Sequence, residues 1–438
     1  MNENRLPARV EARLRGFFSA SPILTYLVIT VALLSVVVVA WGLSRRIRSS
    51  SAPAPSVTPV RPTATPLATA TATPQASPSS APQPRSETPA EREELYLPYV
   101  GRVLPTPQPS ATPTAGAGGP APTPTPTPVD FAAVRQRLQA EGKDLATVKI
   151  GLHAGPGGNA QGLGEYLEAL ARVGVPTLIK SVDNYGICAQ ALRESADNIT
   201  VFRMTGGDLE LPNYELPARE AAEQHWQRVL DALPPEFDRR TWLEVMNEPD
   251  KGRADWLGAF ATRTAELALR DGYRFAAFGW SSGEPEPEHW ETPGMLAFLT
   301  LASRQPESLA VAVHEYSYTV ADIANGYPNL IGRFQTLFRI CDANGIARPT
   351  VFVTEWGWEA VKVPPVGQAM RDIAWASQLY GAYPEVRGAA LWYLGGGYGD
   401  IADQAQKLIL PLRYYAWTDY VVIEPGQKPT DPAQFAPQ

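Results

Sequence analysis

The chain has 438 residues, a formal net charge of −7, 43 prolines and 2 cysteines. No basic stripe interleaved with aromatics runs through it, so nucleic acid is not an expected partner. The prolines are concentrated between residues 51 and 128, in a stretch that cannot bury a core, which leaves about 310 residues for one large domain.

In chain order, residues 1–22 carry Arg5, Arg9, Arg13 and Arg15 and lead into an uncharged apolar run from Ile23 to Leu43. At about 1.5 Å rise per residue the run spans roughly 30 Å, the thickness of a hydrocarbon core. Pro22 occupies a first-turn position, and Trp41 stands where an interfacial aromatic would sit. Residues 23–43 are therefore expected to be an uncleaved transmembrane helix. The rival is a cleavable signal peptide, whose apolar region is usually shorter and which needs a small-x-small site; none follows before Arg45. Arginines flank the run on both sides, so charge alone barely orients it.

Residues 44–128 orient it better. They are rich in Pro, Thr, Ser and Ala, with runs such as Thr123-Pro-Thr-Pro-Thr-Pro128. Such a linker is disordered, extended and polyproline-like, and it reaches on the order of 200 Å. A long spacer of this kind suits the crossing of an envelope layer. It places residues 1–22 in the cytoplasm and the large domain, residues 129–438, outside the cell membrane. One island within the linker, Glu93 to Val103, is apolar enough to dock on something.

From residue 129 short β-branched runs alternate with amphipathic helical stretches, a pattern of βα units around a parallel sheet. The runs are Val148–His153, Pro176–Val182, Ile199–Met204, Thr241–Met246, Arg274–Phe278, Leu309–His314, Thr350–Thr354 and Ala389–Tyr393. Gly164–Val173, Ala218–Leu233 and Asp255–Arg270 show helical spacing. Eight such strands fit a closed (β/α)8 TIM barrel. A doubly wound open sheet is the alternative, but the loop from Gly155 to Gly162 lacks the GxGxxG order that such a sheet carries after its first strand. That loop is read as a flexible rim. Cys188 and Cys341 fall on different outer helices and read as buried free thiols, with a disulfide as the alternative.

A barrel puts chemistry at the carboxyl ends of its strands. Those ends carry His153, then Lys180, Ser181 and Asp183, then Arg203, Asn247-Glu248-Pro249, Trp280, His314-Glu315-Tyr316, Glu355-Trp356-Gly357-Trp358, and Trp392 with Tyr393. Glycosidic bond cleavage needs one carboxyl to protonate the leaving oxygen and a second on the other face of the sugar. Glu248 and Glu355 end the fourth and seventh strands, nearly opposite each other across eight, and can converge on one bond. Either motif alone reads as a turn or a stabilised strand end; their joint placement makes them a pair.

These residues carry a family resemblance. Trp242-Leu-Glu-Val-Met-Asn-Glu-Pro-Asp250 resembles the strand-four signature of clan A glycoside hydrolases, and Thr354-Glu355-Trp356-Gly357 resembles that clan's strand-seven nucleophile. His314-x-Tyr316 is similar to the strand-six motif of family 5 members, and Trp392 to the strand-eight Trp that floors the sugar site. The resemblance covers about residues 148–420; it does not fix the family, since families 5 and 39 both come to mind and the loops match neither. It implies a retaining enzyme acting on an oligosaccharide or polysaccharide, without metal or cofactor. Glu248 would be acid/base and Glu355 nucleophile. Asn247 would bind the sugar 2-hydroxyl, Tyr316 would hold Glu355, His314 would support the acid/base region, and Arg203 would orient Glu355. A second carboxylate close by is expected to raise the pKa of the acid, and retention implies a separation of roughly 5 Å.

Other residues carry two readings. His153 belongs to the ring of strand ends, and Trp280, Trp356 and Trp358 are either sugar platforms or core. His289 is a further candidate for the edge of the site, His225 reads as surface or packing, and Glu244 as a buried partner for an arginine. Glu315 has the wrong parity for catalysis. The alternatives to a glycosidase are a carbohydrate-binding barrel without catalysis, a metal-dependent barrel enzyme of another class, for which no HxH or carboxylate triad stands out, and a surface adhesin.

Overall fold

A computed structural model describes residues 125–436, apart from 322, 427 and 430. Among the described residues no helix is long and apolar enough to cross a membrane. The expected span 23–43 and nearly all of the linker lie outside them.

The described chain opens with α1 (Phe131–Ala140), capped by the Asp130 carboxylate, and β1 (Asp144–Thr147). The eight barrel strands follow as β2 (Ile150–Ala154), β3 (Leu178–Val182), β4 (Ile199–Arg203), β5 (Trp242–Glu244), β6 (Arg274–Trp280), β7 (Leu309–Tyr316), β8 (Thr350–Gly357) and β9 (Val386–Leu391). They pair in sequence order, all parallel, and β9 returns to β2, so the sheet closes on itself. All eight expected strands are present, and the open doubly wound sheet is excluded. One pairing was not expected from the sequence: β1 joins β10 (Tyr420–Ile423) in a two-stranded antiparallel sheet that ties the start of the domain to its end.

Helices alternate with the strands because their apolar residues recur on one face. The helix α2 (Leu163–Arg172) buries Leu163, Tyr166, Leu167 and Leu170, an i, i+3, i+4, i+7 stripe. The helix α3 (Tyr185–Glu194) and the longer α4 (Ala218–Ala232) and α5 (Ala254–Asp271) continue the outer ring. Gly272, with φ 75°, stops α5 in the left-handed conformation that glycine adopts most readily. Cys188 on α3 and Cys341 on Phe334–Ala343 are both free and buried, and burial pushes each thiol up to about 12.

Two of the clusters of buried apolar residues build the barrel. The larger fills the shell between strands and helices. The smaller is the barrel floor: Leu178, Val201, Trp242, Ala276, Ala310, Phe352 and Ala390, drawn from seven different strands. Trp242 on β5 meets Phe352 on β8 edge to face at 4.8 Å, bridging the barrel.

The floor sets the inward parity of every strand above it, and β8 breaks that parity. Phe352 faces inward, so regular alternation would turn Thr354 and Trp356 inward and Glu355 outward. Instead the register with β7 shifts by one residue: Val353 pairs with Val313, and the next pair is Glu355 with His314. Thr354 is the extra residue of this bulge, and Glu355 turns into the barrel beside His314. The loop from Gly155 to Gly162, expected to be a flexible rim, lies with Pro156 to Gly158 exposed and comes close to the segment after β9. A Cβ at Gly158 would lie 2.3 Å from the Leu394 carbonyl oxygen, so only glycine permits this approach to the segment after β9.

Candidate active site

Above the apolar floor lies a layer of charge. The Lys180 ammonium of β3 donates to Glu244 of β5, and Arg203 of β4 donates to the same Glu244 oxygen at 3.1 Å. All three side chains are buried, Lys180 and Glu244 completely. Burial would raise the Glu244 carboxyl, but the two cations overcome it and hold it down to about 2. Burial pulls the Lys180 ammonium down to about 8. The expectation that Glu244 pairs with a buried arginine is met, and the lysine behind it is a second partner. Lys180 was visible at a strand end, but nothing in the sequence announced its partner.

Arg203 connects this layer to the mouth. Its guanidinium also reaches Glu355 Oε1 at 3.3 Å and donates to the Asn247 side-chain oxygen. Glu355 is fixed from its other oxygen as well, where the buried Tyr316 hydroxyl donates to Oε2 at 2.8 Å. Tyr316 is itself set by its backbone N–H, which donates to Ser282 Oγ at 2.7 Å. The Glu355 carboxylate, 6 % exposed, is thus held in one orientation by two hydrogen bonds, with His314 Nδ1 a further 3.6 Å neighbour.

Glu248 stands at the end of the β5 segment. Its φ is 44°, a left-handed conformation uncommon outside glycine, and its N–H donates to the Gly279 carbonyl at 2.9 Å. This backbone directs the side chain over the barrel mouth, where it is the more exposed of the two carboxyls. His314 joins them. Its Nδ1 lies 3.0 Å from Glu248 Oε1 and 3.6 Å from Glu355 Oε2.

Those two contacts laid end to end bound the separation of the carboxyl oxygens. The bound applies to one oxygen of each carboxyl and brings both groups within reach of one glycosidic bond. The hydrogen bond from His314 pulls the Glu248 pKa below its ordinary value against the opposing effect of burial, with help from Ser281. The sequence reading expected the acid's pKa to be raised by the second carboxylate. In the free protein the imidazole N–H, which favours the charged form, outweighs that effect.

Not every expected site residue faces the mouth. Trp392 does, 8 % exposed, with its indole N–H donating to the Ala360 carbonyl at 3.1 Å. His153 is fully buried, edge-on to Trp392 at 4.9 Å and to Tyr393 at 5.1 Å, so it backs the tryptophan and offers no open face to a ligand. Burial first, then Lys180 and Arg203, lowers its pKa well below the ordinary value, keeping the ring neutral. Trp280 and Trp356 are fully buried and form no platform. The bulge that turns Glu355 inward turns Trp356 outward against Trp358, and a second register shift after Phe278 sends Trp280 against Phe278 and Trp290. Trp358 is also core, bonded to Asp372 at 2.7 Å.

His289 pairs with Glu286 at 3.1 Å in the loop after β6. His225 packs under the barrel rim with Nε2 2.6 Å from the Val245 carbonyl. Glu315, of opposite parity, is buried against the outer shell and accepts from the Tyr380 hydroxyl and the Gly332 and Phe334 N–H groups. Among the described residues no three His, Cys, Asp or Glu side chains converge as a metal site.

No protein-family model matches the chain, and no curated protein matches it. Among solved structures, one described as a glycoside hydrolase is 12 % identical, covers 60 % of this chain and 99 % of its own, and has a TM-score of 0.34. The YdjI aldolase from Escherichia coli K12 is 11 % identical, covers 65 % of this chain and 94 % of its own, and has a TM-score of 0.29. At these levels neither likeness bears on function; the (β/α)8 barrel stands on its closed eight-strand topology.

Proposed function

We propose that the chain is a retaining glycoside hydrolase of the clan A type, acting on a β-linked oligosaccharide or polysaccharide. The observation that carries the reading is the convergence of Glu248 and Glu355 on one imidazole nitrogen, with Glu355 held besides by Arg203 and Tyr316. Glu355 attacks the anomeric carbon while Glu248 gives its proton to the leaving oxygen; water then attacks the glycosyl-enzyme as Glu248 takes its proton. Asn247, oriented by Arg203, lies next to Glu248 where it can meet the sugar 2-hydroxyl, and Trp392 floors the ring.

The protonation states follow the same geometry. A sugar ring over the pair displaces water and raises the cost of two adjacent carboxylates, so Glu248 takes up the proton that it needs as acid. Once Glu355 is esterified it carries no charge. Glu248 then returns to the ionised form that His314 favours, which is the form required of a base.

Glu355→Ala should nearly abolish turnover of aryl β-glycosides with the fold intact, and azide should rescue it, giving a glycosyl azide of inverted anomeric configuration. Near-wild-type turnover in that variant would remove Glu355 from the mechanism. A wild-type chain that binds glycans and hydrolyses none would favour the carbohydrate-binding alternative.

For location we propose that residues 23–43 anchor the chain, with residues 1–22 cytoplasmic and the barrel outside on the linker. Extraction of the full chain from membranes by alkaline carbonate would overturn the anchor.

A further inference from the structure

Two exposed tyrosines flank the carboxylate pair and have no role in the chemistry above. Tyr318 is 55 % exposed and Tyr398 is 44 % exposed, against 8 % for Tyr316 and Trp392 between them. Tyr318 lies nearly parallel to Tyr316 at 6.3 Å, Tyr316 meets Trp392 at 6.3 Å, and Tyr398 stands edge-on to Trp392 at 5.1 Å. The four rings make one band that is covered at its centre, where Tyr316 holds Glu355, and open at both ends. Tyr318 also has φ 56°, a backbone conformation that a bulky residue keeps only where its surroundings impose it, and such positions cluster at ligand sites.

Beside the band runs an open groove of about 580 Å³, between Val320, the turn from Val361 to Pro365, and Gly399 to Gln404. That volume is within the range of small-molecule sites. Val363 packs on the cluster of Tyr316, Trp392, Tyr393 and Ile401, so the groove adjoins the mouth. Its polar groups include Lys362, paired with Glu359, and Asp400, which accepts from the neutral Gln404 amide, so one hydrogen-bonding carboxylate stands at its rim. Flat apolar faces with hydrogen-bonding groups at the rim match a neutral pyranose ring, which has C–H faces and equatorial hydroxyls. The groove belongs to the loops after β7, β8 and β9, on the side of the nucleophile and away from β5, which carries Glu248. The leaving group departs toward the acid, so the opposite side receives the glycone.

We propose that Tyr318, Tyr398 and this groove form glycone-side subsites for further sugar rings of a neutral glycan chain, so that the enzyme selects oligosaccharide or polysaccharide over monoglycoside. This rests on the glycosidase reading. The test uses the full chain and pairs of 4-nitrophenyl β-glycosides with one or three sugar units, in the gluco, xylo and manno series. The trisaccharide of the preferred series should exceed its monosaccharide partner in kcat/KM by at least tenfold. Tyr318→Ala and Tyr398→Ala should each reduce kcat/KM on the trisaccharide at least tenfold more than on the monosaccharide, chiefly through KM, and Phe at either position should restore it. Equal wild-type rates on the two lengths, or equal losses on both in the variants, would overturn the subsites. If the wild type cleaves neither length, the glycosidase reading falls and calorimetry with the free trisaccharides decides separately. Binding weakened at least tenfold by the alanine variants would uphold the subsites, and no binding would end them.

Discussion

Replacing Tyr316 by Phe deletes one hydroxyl and nothing else of size. The hydroxyl donates to Glu355 Oε2 at 2.8 Å from a buried position, and the contacts of the ring with Trp392 and Tyr318 survive the change. A hydrogen bond to a charged group contributes about 1.5–3 kcal/mol. If the transition state uses the whole of it, kcat/KM falls by roughly 10- to 150-fold. Glu355 keeps Arg203 at 3.3 Å and His314 at 3.6 Å, so activity should not vanish as is expected of Glu355→Ala. The measurement is kcat/KM on an aryl β-glycoside, beside a thermal melt to establish that the barrel is intact. A loss under twofold with an unchanged melt would show that this hydroxyl does not hold the nucleophile, and would remove one of the groups on which the site reading depends.

Two further outcomes follow from the electrostatics. His314 lowers the Glu248 pKa by a hydrogen bond, so His314→Leu should raise it and move the alkaline limb of the kcat/KM profile to higher pH; a limb that stays or moves down would contradict the assignment. Burial raises the Glu315 carboxyl to about 7 from its ordinary 4.5, against the pull of Tyr380 and the backbone N–H groups of Gly332 and Phe334. The folded state therefore binds this proton more tightly than the unfolded chain. Its stabilising contribution is complete below about 4.5 and is lost as pH rises through about 7, a swing of about 3 kcal/mol. Denaturant titrations of wild type and Glu315→Gln across that range should converge or diverge accordingly, and parallel curves would refute the raised value.

Much of the site was legible because strand ends in a parallel barrel share one mouth. Glu248, Glu355, His314, Tyr316, Arg203 and Trp392 are brought together by topology that the alternation of β-branched runs and amphipathic helices already indicates. Tyr318 was legible in principle, since it extends the parity of His314 and Tyr316 by one more step. The role of Lys180 was not, because a buried lysine looks like an exposed one until its partner is known.

The sequence by itself determined the eight strands, their order, and the residues that end them, since each is a local property of pattern and composition. It also determined that two carboxyls end the fourth and seventh strands. Only the tertiary structure decided which way those residues face. A period of two carries no mark of the extra residue at Thr354, yet that residue turns Glu355 inward and Trp356 outward. The same holds for the shift after Phe278 that buries Trp280, and for the pairing of β1 with β10 across the length of the domain. Register depends on contacts between strands distant in sequence. Here the carboxylate pair forms because β8 slips by one residue against β7.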